Sequence, residues 1–304
     1  MSRSAPTSAA EIKVSVIVPT LNGGDAFPAC LEGIAKQEGV GSIELIVLDS
    51  QSEDETVAHA ERAGARVIEV DRALFRHGAT RDSGARHATG DVYVFTVQDA
   101  RAVDEFWLQC LVEPLLNGSA AATSRILPRP EANPLARRTV LDSPMASPEP
   151  WEADPKIVDL AALSPEEARS FARFDDISSA IRADIYEQLP FRPVSMSEDL
   201  QWGLDALGHG FRLAYAPDSK IYHSHEYSAL EAYFRYRDDA LALQDILGLK
   251  VRKNVWRALK GWAYEMRRDF TYLRSLGPGA LMKYGLPSVM LRGFQLAGQW
   301  RGSR

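Results

Sequence analysis

Val14-Ser15-Val16-Ile17-Val18-Pro19-Thr20-Leu21-Asn22-Gly23-Gly24 is the stretch on which the fold turns. Its first five residues are small or apolar and mostly β-branched, and Pro19 ends the run, the pattern of a buried strand. Asn22-Gly23-Gly24-Asp25 reads as a turn, and Phe27, Leu31, Ile34 and Ala35 share one face of a predicted helix over 26–37. The same alternation then continues. A second apolar run, 44–48, closes on Asp49, and the polar segment 50–56 opens a helix that reaches about Gly64. A third strand is predicted over 66–70, a helix over 78–88 and a fourth strand over 92–97. Strand and helix alternating in this way imply an α/β fold, a mostly parallel sheet flanked by helices. Ligands of such sheets bind at the carboxyl ends of the strands. Those ends carry Pro19–Asn22, Asp49-Ser50 and Gln98-Asp99.

Outward from this core, residues 1–12 read as a flexible leader without the apolar segment of a secretory signal. Residues 126–170 are rich in proline and predicted as a long loop with one helix near 164–172, a candidate lid. A helix is expected over 198–209, strands over 211–216 and 219–224, and helices from 228 to the end. The composition, 45% hydrophobic and 25% charged, is that of a globular chain. Charge is unevenly spread. From Lys250 to Arg304 there are 12 Lys/Arg against two acids, a net +10 in a chain of −6, so the rest carries −16. An acidic body argues against nucleic acid as a partner. The basic helical region, 241–304, interleaves Lys250, Arg252, Lys253, Arg257 and Lys260 with Trp256, Leu259 and Trp262. That pattern suits an anionic membrane surface or packing within a homodimer. Cys30 and Cys110 form no CxxC pair, which fits a cytoplasmic chain at the inner face of a membrane. Dinucleotide, P-loop and nucleophile-elbow motifs are absent.

Several residues could carry chemistry, and each has a plainer reading beside it. Asp49 could accept hydrogen bonds from a ribose or base, or cap a helix. Asp99 could hold a divalent cation beside a diphosphate, or sit in a solvated turn. Arg81 could meet phosphate or stack on a base, or form a helix-surface ion pair. The Glu198-Asp199 pair opens a helix, where carboxylates favour the dipole; one could also deprotonate an acceptor hydroxyl. His223 and His225, two apart in an extended segment, point to one face and could ligate a metal or lie at a polar edge.

The blocks 14–24, 44–56, 75–100, 174–191, 197–202 and 220–228, in this order, resemble family 2 glycosyltransferases of the GT-A fold. The Phe75-Arg76-His77-Gly78-Ala79-Thr80-Arg81 stretch and the Gln98-Asp99-Ala100 strand end are similar to bacterial rhamnosyltransferase-like members. The resemblance spans about residues 13–240 and implies a GT-A domain there. It implies that Pro19, Thr20, Asn22, Asp49, Ser52, Arg81, Gln98 and Asp99 bind the nucleotide sugar, a dTDP- or UDP-sugar. Asp99, with His223 or His225, would hold Mg²⁺ or Mn²⁺. Asp199, beside Glu198, would be the base of an inverting transfer, with Ser179 and Trp202 at the acceptor, a glycan or lipid-linked hydroxyl. The sequence departs from the family in having Val97 where the first Asp of the DxD motif stands. That departure supports a second reading, an inactive partner subunit that binds sugar nucleotide.

Overall fold

The computed structural model describes residues 7–252 and 254–304; Lys253 and residues 1–6 of the expected leader lie outside it. The chain forms β1 (Lys13–Thr20), α1 (Ala26–Ala35), β2 (Ser42–Asp49), α2 (Thr56–Arg62), β3 (Arg66–Glu69), α3 (His77–Ala85), β4 (Val92–Thr96) and β5 (Arg101–Ala102). Next come α4 (Trp107–Leu116), β6 (Ala121–Leu127), α5 (Pro134–Leu141), β7 (Trp151–Ala153), α6 (Pro165–Phe171), β8 (Ser178–Arg182) and α7 (Ala183–Gln188). The last elements are α8 (Glu198–Gly208), β9 (Leu213–Tyr222), α9 (Ala229–Leu247), α10 (Val255–Ser275) and α11 (Pro278–Gly302).

Two compact units result. The first holds residues up to Leu127 and Met145–His223; the second holds Pro128–Pro144 and Ser224–Arg304. The nine strands among the described residues all lie in the first, in the order β3-β2-β1-β4-β8-β6-β9-β5, with β7 also on β9. β3, β2, β1 and β4 run parallel, and β8 is antiparallel to both β4 and β6. The apolar run 14–18 is fully buried because β1 is flanked by β2 and β4. The predicted first four strands all form.

Three differences have clear causes. Within the expected leader, Ala9–Glu11 make a 3₁₀ turn, and Ile12 is buried and accepts a hydrogen bond from the Gly41 amide. The strands expected over 211–216 and 219–224 are one strand, β9. Its register against β6 shifts between Ser124 and Arg125, where Pro217 and its neighbours bulge out. The expected lid is largely structured. Asn133 caps α5 and a Ser164/Glu167 capping box opens α6. The Tyr215 hydroxyl contacts the carbonyls of Met145 and Ser147 at 2.9 and 2.7 Å, and β7 pairs with β9.

In the second unit α11 packs tightly on α9. Gly298 and Gly302, one turn apart, allow this: a Cβ at either would come within 2.2 Å of a carbonyl oxygen of α9. Asp269 of α10 is fully buried and accepts hydrogen bonds from Arg138, Arg292 and Ser288. Among the described residues no helix is long and apolar enough to cross a membrane.

Candidate active site

The topology brings three groups of side chains to one edge of the sheet. β1, β2 and β4 end there because they are parallel. β8 begins there because it is antiparallel to β4, with Ser178 opposite Thr96. β9, parallel to β6, ends there at Tyr222.

The first group stitches two loops together. Asp49, buried at the end of β2, accepts hydrogen bonds from the hydroxyls of Thr20 (3.0 Å) and Ser52 (2.6 Å) and from the Ser52 amide (2.8 Å). Ser52 in turn accepts from the Asn22 amide, and Asn22 Oδ1 accepts from the Glu53 amide. Asn22 and Gln51 both adopt positive φ, 47° and 62°, a backbone state of appreciable cost away from glycine. Gln98 clamps the neighbouring loop: its side chain accepts from the Leu21 amide and donates to the Leu21 carbonyl. Thr20, Asp49 and Gln98 thus spend polar atoms on shaping the cradle, while Asn22 stays exposed and Pro19 and Ser52 half-buried.

The second group is acidic and sheltered. Arg81 of α3 is buried and ion-paired with Glu198; its Nε lies 3.8 Å from Asp176 Oδ2. Expected at the nucleotide, Arg81 here has its guanidinium held inside the protein by two carboxylates. Gly78 makes the approach possible, since a Cβ there would sit 3.1 Å from that of Glu198. Asp199 follows Glu198 at the start of α8, after Ser197 in the left-handed region at φ 62°. It accepts from the Leu200 amide at 2.7 Å. Burial, then the negative charge of Glu198, raises its pKa to about 6. Burial likewise holds the Asp176 carboxyl well above the ordinary range, against the pull of Arg81.

Ser179 and Trp202, expected at the acceptor, are both buried. Ser179 is fully buried and donates to Asp176 at 2.6 Å. Trp202 is 1% exposed, packs with its ring tilted against Phe174 and donates from its indole to the Leu189 carbonyl. Asp176 itself was missed by the sequence reading. The signal available was the Asp175-Asp176 doublet placed directly before a buried strand.

In the third group, Asp99 and His223 face each other, with Oδ1 3.5 Å from Nε2. His223 is buried, Asp99 half-buried, and His225 follows two residues on, exposed, where the second unit begins. A carboxylate facing an imidazole is a donor set that fits a divalent cation.

The family model of Glycosyl transferase family 2 matches residues 15–159. O-antigen chain rhamnosyltransferase RfbN of Salmonella typhimurium is 32% identical over 235 residues, 75% of this chain and 71% of that protein. The chain belongs to glycosyltransferase family 2. O-antigen chain rhamnosyltransferase WbaN of Salmonella anatum is also similar, at 29% over 74% of this chain and 70% of that one. The fold of this glycosyltransferase is GT-A. The mannosyltransferase PcManGT of Pyrobaculum calidifontis, solved with GDP-Man and Mn²⁺, superposes with a TM-score of 0.60 at 17% identity, covering 96% of this chain and 87% of that one. Glucosyl-3-phosphoglycerate synthase of Mycobacterium tuberculosis gives 0.56 at 22%, over 80% and 83%.

Proposed function

We propose that this glycosyltransferase moves rhamnose or a related deoxysugar, with inversion, from a dTDP- or UDP-sugar to a hydroxyl of a glycan or lipid-linked acceptor in bacterial surface glycan synthesis. The activity named for its two Salmonella relatives supports the sugar. The observation that carries the mechanism is Asp199, a sheltered carboxylate whose pKa is raised to about 6 at the ligand edge. A base poised near neutrality accepts a proton efficiently and is mostly ionised at pH 7. Asp199 takes the acceptor's proton as that oxygen attacks the anomeric carbon. The bond from sugar to phosphate breaks and its electrons leave with the nucleoside diphosphate. Glu198, locked to Arg81, positions Asp199 and tunes it by charge.

Asp99 and His223 would hold the divalent cation, with His225 as third ligand because it follows on the same extended segment. Mg²⁺ keeps to oxygen ligands, so the imidazoles of this set speak for Mn²⁺ of the two. Such an ion, when bound, acts as a Lewis acid that stabilises the leaving diphosphate. The loops joined through Asp49, Ser52 and Asn22 shape the nucleotide cradle. We place the chain in the cytoplasm at the inner face of the membrane, where a lipid-linked acceptor would lie.

The test is nucleoside diphosphate release from a panel of nucleotide sugars with Mn²⁺ and membrane lipid as acceptor. One donor should be consumed, and Asp199→Asn should lower turnover by about 10²–10⁴-fold with donor affinity retained. Full turnover by D199N would overturn the base assignment. Silence with every donor would favour the inactive-subunit reading, for which Val97 in place of an aspartate is the supporting feature.

A further inference from the structure

The helical unit contains a cavity of about 270 Å³ walled by α5, α9, α10 and α11. Four arginines line it: Arg138, Arg252, Arg268 and Arg292. Three of them are matched. Arg138 pairs with Asp142 and Glu265 at 2.5 Å and with Asp269; Arg268 pairs with Asp142 at 2.5 Å; Arg292 pairs with Asp269 at 2.8 Å. These three cations and three carboxylates balance one another. Arg252 is the fourth. Its Nε donates to a neutral partner, Gln299 Oε1, at 2.8 Å. Its guanidinium lies over Gly261, where an added Cβ would come within 2.8 Å of Nη1. Burial lowers its pKa, and Glu265 only partly offsets that.

A second unmatched group lines the same cavity. The Trp262 indole N–H is shielded from solvent and has no acceptor among the described residues. Gln295 and Gln299 spend their carbonyl oxygens on Arg292 and Arg252, which leaves their NH₂ groups as further donors. A half-buried cation and a shielded N–H donor each carry a desolvation cost that an anionic oxygen lowers. The unmatched groups on the wall are donors, so they suit a group that only accepts. A carboxylate offers two oxygens, whereas a phosphate or diphosphate offers enough for Arg252, Trp262 and the amides together.

We propose that this cavity binds a phosphate-bearing ligand through Arg252 and Trp262, separately from the transferase centre. The source is either a soluble phosphorylated compound or the headgroup of an anionic lipid, since both present the same oxygens.

The test uses the full chain with EDTA present and ionic strength held by chloride. Pyrophosphate is titrated while indole fluorescence and thermal midpoint are followed. Saturable binding is expected, weakened roughly ten-fold or more by Arg252→Gln, the loss of one charge-assisted contact. Trp262→Phe, which keeps a ring and removes the N–H, should weaken it several-fold. Asp99→Asn should leave it unchanged. Equal binding by R252Q and the parent, or an equal response to chloride alone, would overturn the proposal. If R252Q does not fold, unaltered affinity in W262F overturns it instead. Phosphatidylglycerol vesicles separate the sources. Displacement of pyrophosphate by vesicles identifies the headgroup, and undisturbed pyrophosphate binding identifies a soluble ligand.

Discussion

Asp199 and Glu198 are adjacent in sequence and opposite in situation. Glu198 is neutralised by Arg81, and Asp199 is left with a pKa near 6. As the proposed base, Asp199 works in its ionised form, so kcat/KM should fall ten-fold per pH unit below about 6 and level off above it. Glu198→Gln removes the negative charge that helps to raise Asp199 and leaves Arg81 less compensated. The acid limb should therefore move to lower pH. A limb that stays in place or moves upward would mean that Glu198 does not tune the base. The sequence marked this pair as adjacent carboxylates in the first turn of a helix, and it offered Arg81 as a phosphate or base contact or as one half of a helix-surface ion pair. It did not show that the two meet, because 117 residues separate them. Pairing over such a distance leaves no local periodicity to read.

At the level of elements, α3 and α8 are held close by Gly78, whose missing side chain admits the Cβ of Glu198 and that of Phe191 at 3.1 and 3.3 Å. Gly78→Val would drive the helices apart. We expect a stability loss of about 1–3 kcal/mol and a larger fall in turnover than in donor affinity, measured by denaturant unfolding beside steady-state kinetics. Unchanged turnover would show that the spacing of the two helices does not matter to the base. β1, β2 and β4 were legible because each carries a short buried apolar run with a stop after it, as in the segment 14–18 followed by Pro19, whereas β3, at the sheet's edge, has only Val67 and Ile68 half-covered. β7 was not legible. Trp151–Ala153 is three residues long, too short for any alternation, and it is a strand only because β9 offers it an edge. Trp202, which the family resemblance put at the acceptor, packs inside beside Phe174, a placement no local pattern announces.

For the whole molecule, net charge is a poor guide to where charge is free. The count of basic residues in 241–304 suggested a uniformly cationic surface, but Arg268 and Arg292 are paired with acids of the same unit. What stays exposed on α10 is Trp256, Leu259 and Tyr264 among Arg257, Lys260 and Arg267, and on α11 Met282, Leu286 and Met290. Contact with an anionic bilayer would use these residues. Trp256→Ser combined with Met282→Ser should lower co-sedimentation with phosphatidylglycerol vesicles several-fold in low salt, with turnover on a soluble donor unchanged. Equal sedimentation would dismiss the surface. The sheet has a further consequence, in the order of synthesis. β4 is buried along its whole length between β1, made before it, and β8, whose first residue follows Thr96 by about eighty positions. At ribosomal rates of 5–20 residues per second that interval lasts roughly 4–16 s. Throughout it, the nascent parallel half presents Val92–Thr96 as an open apolar edge, the kind that pairs with the wrong chain. Yield in a host should accordingly depend on chaperones that hold the chain until Ser178–Arg182 emerges.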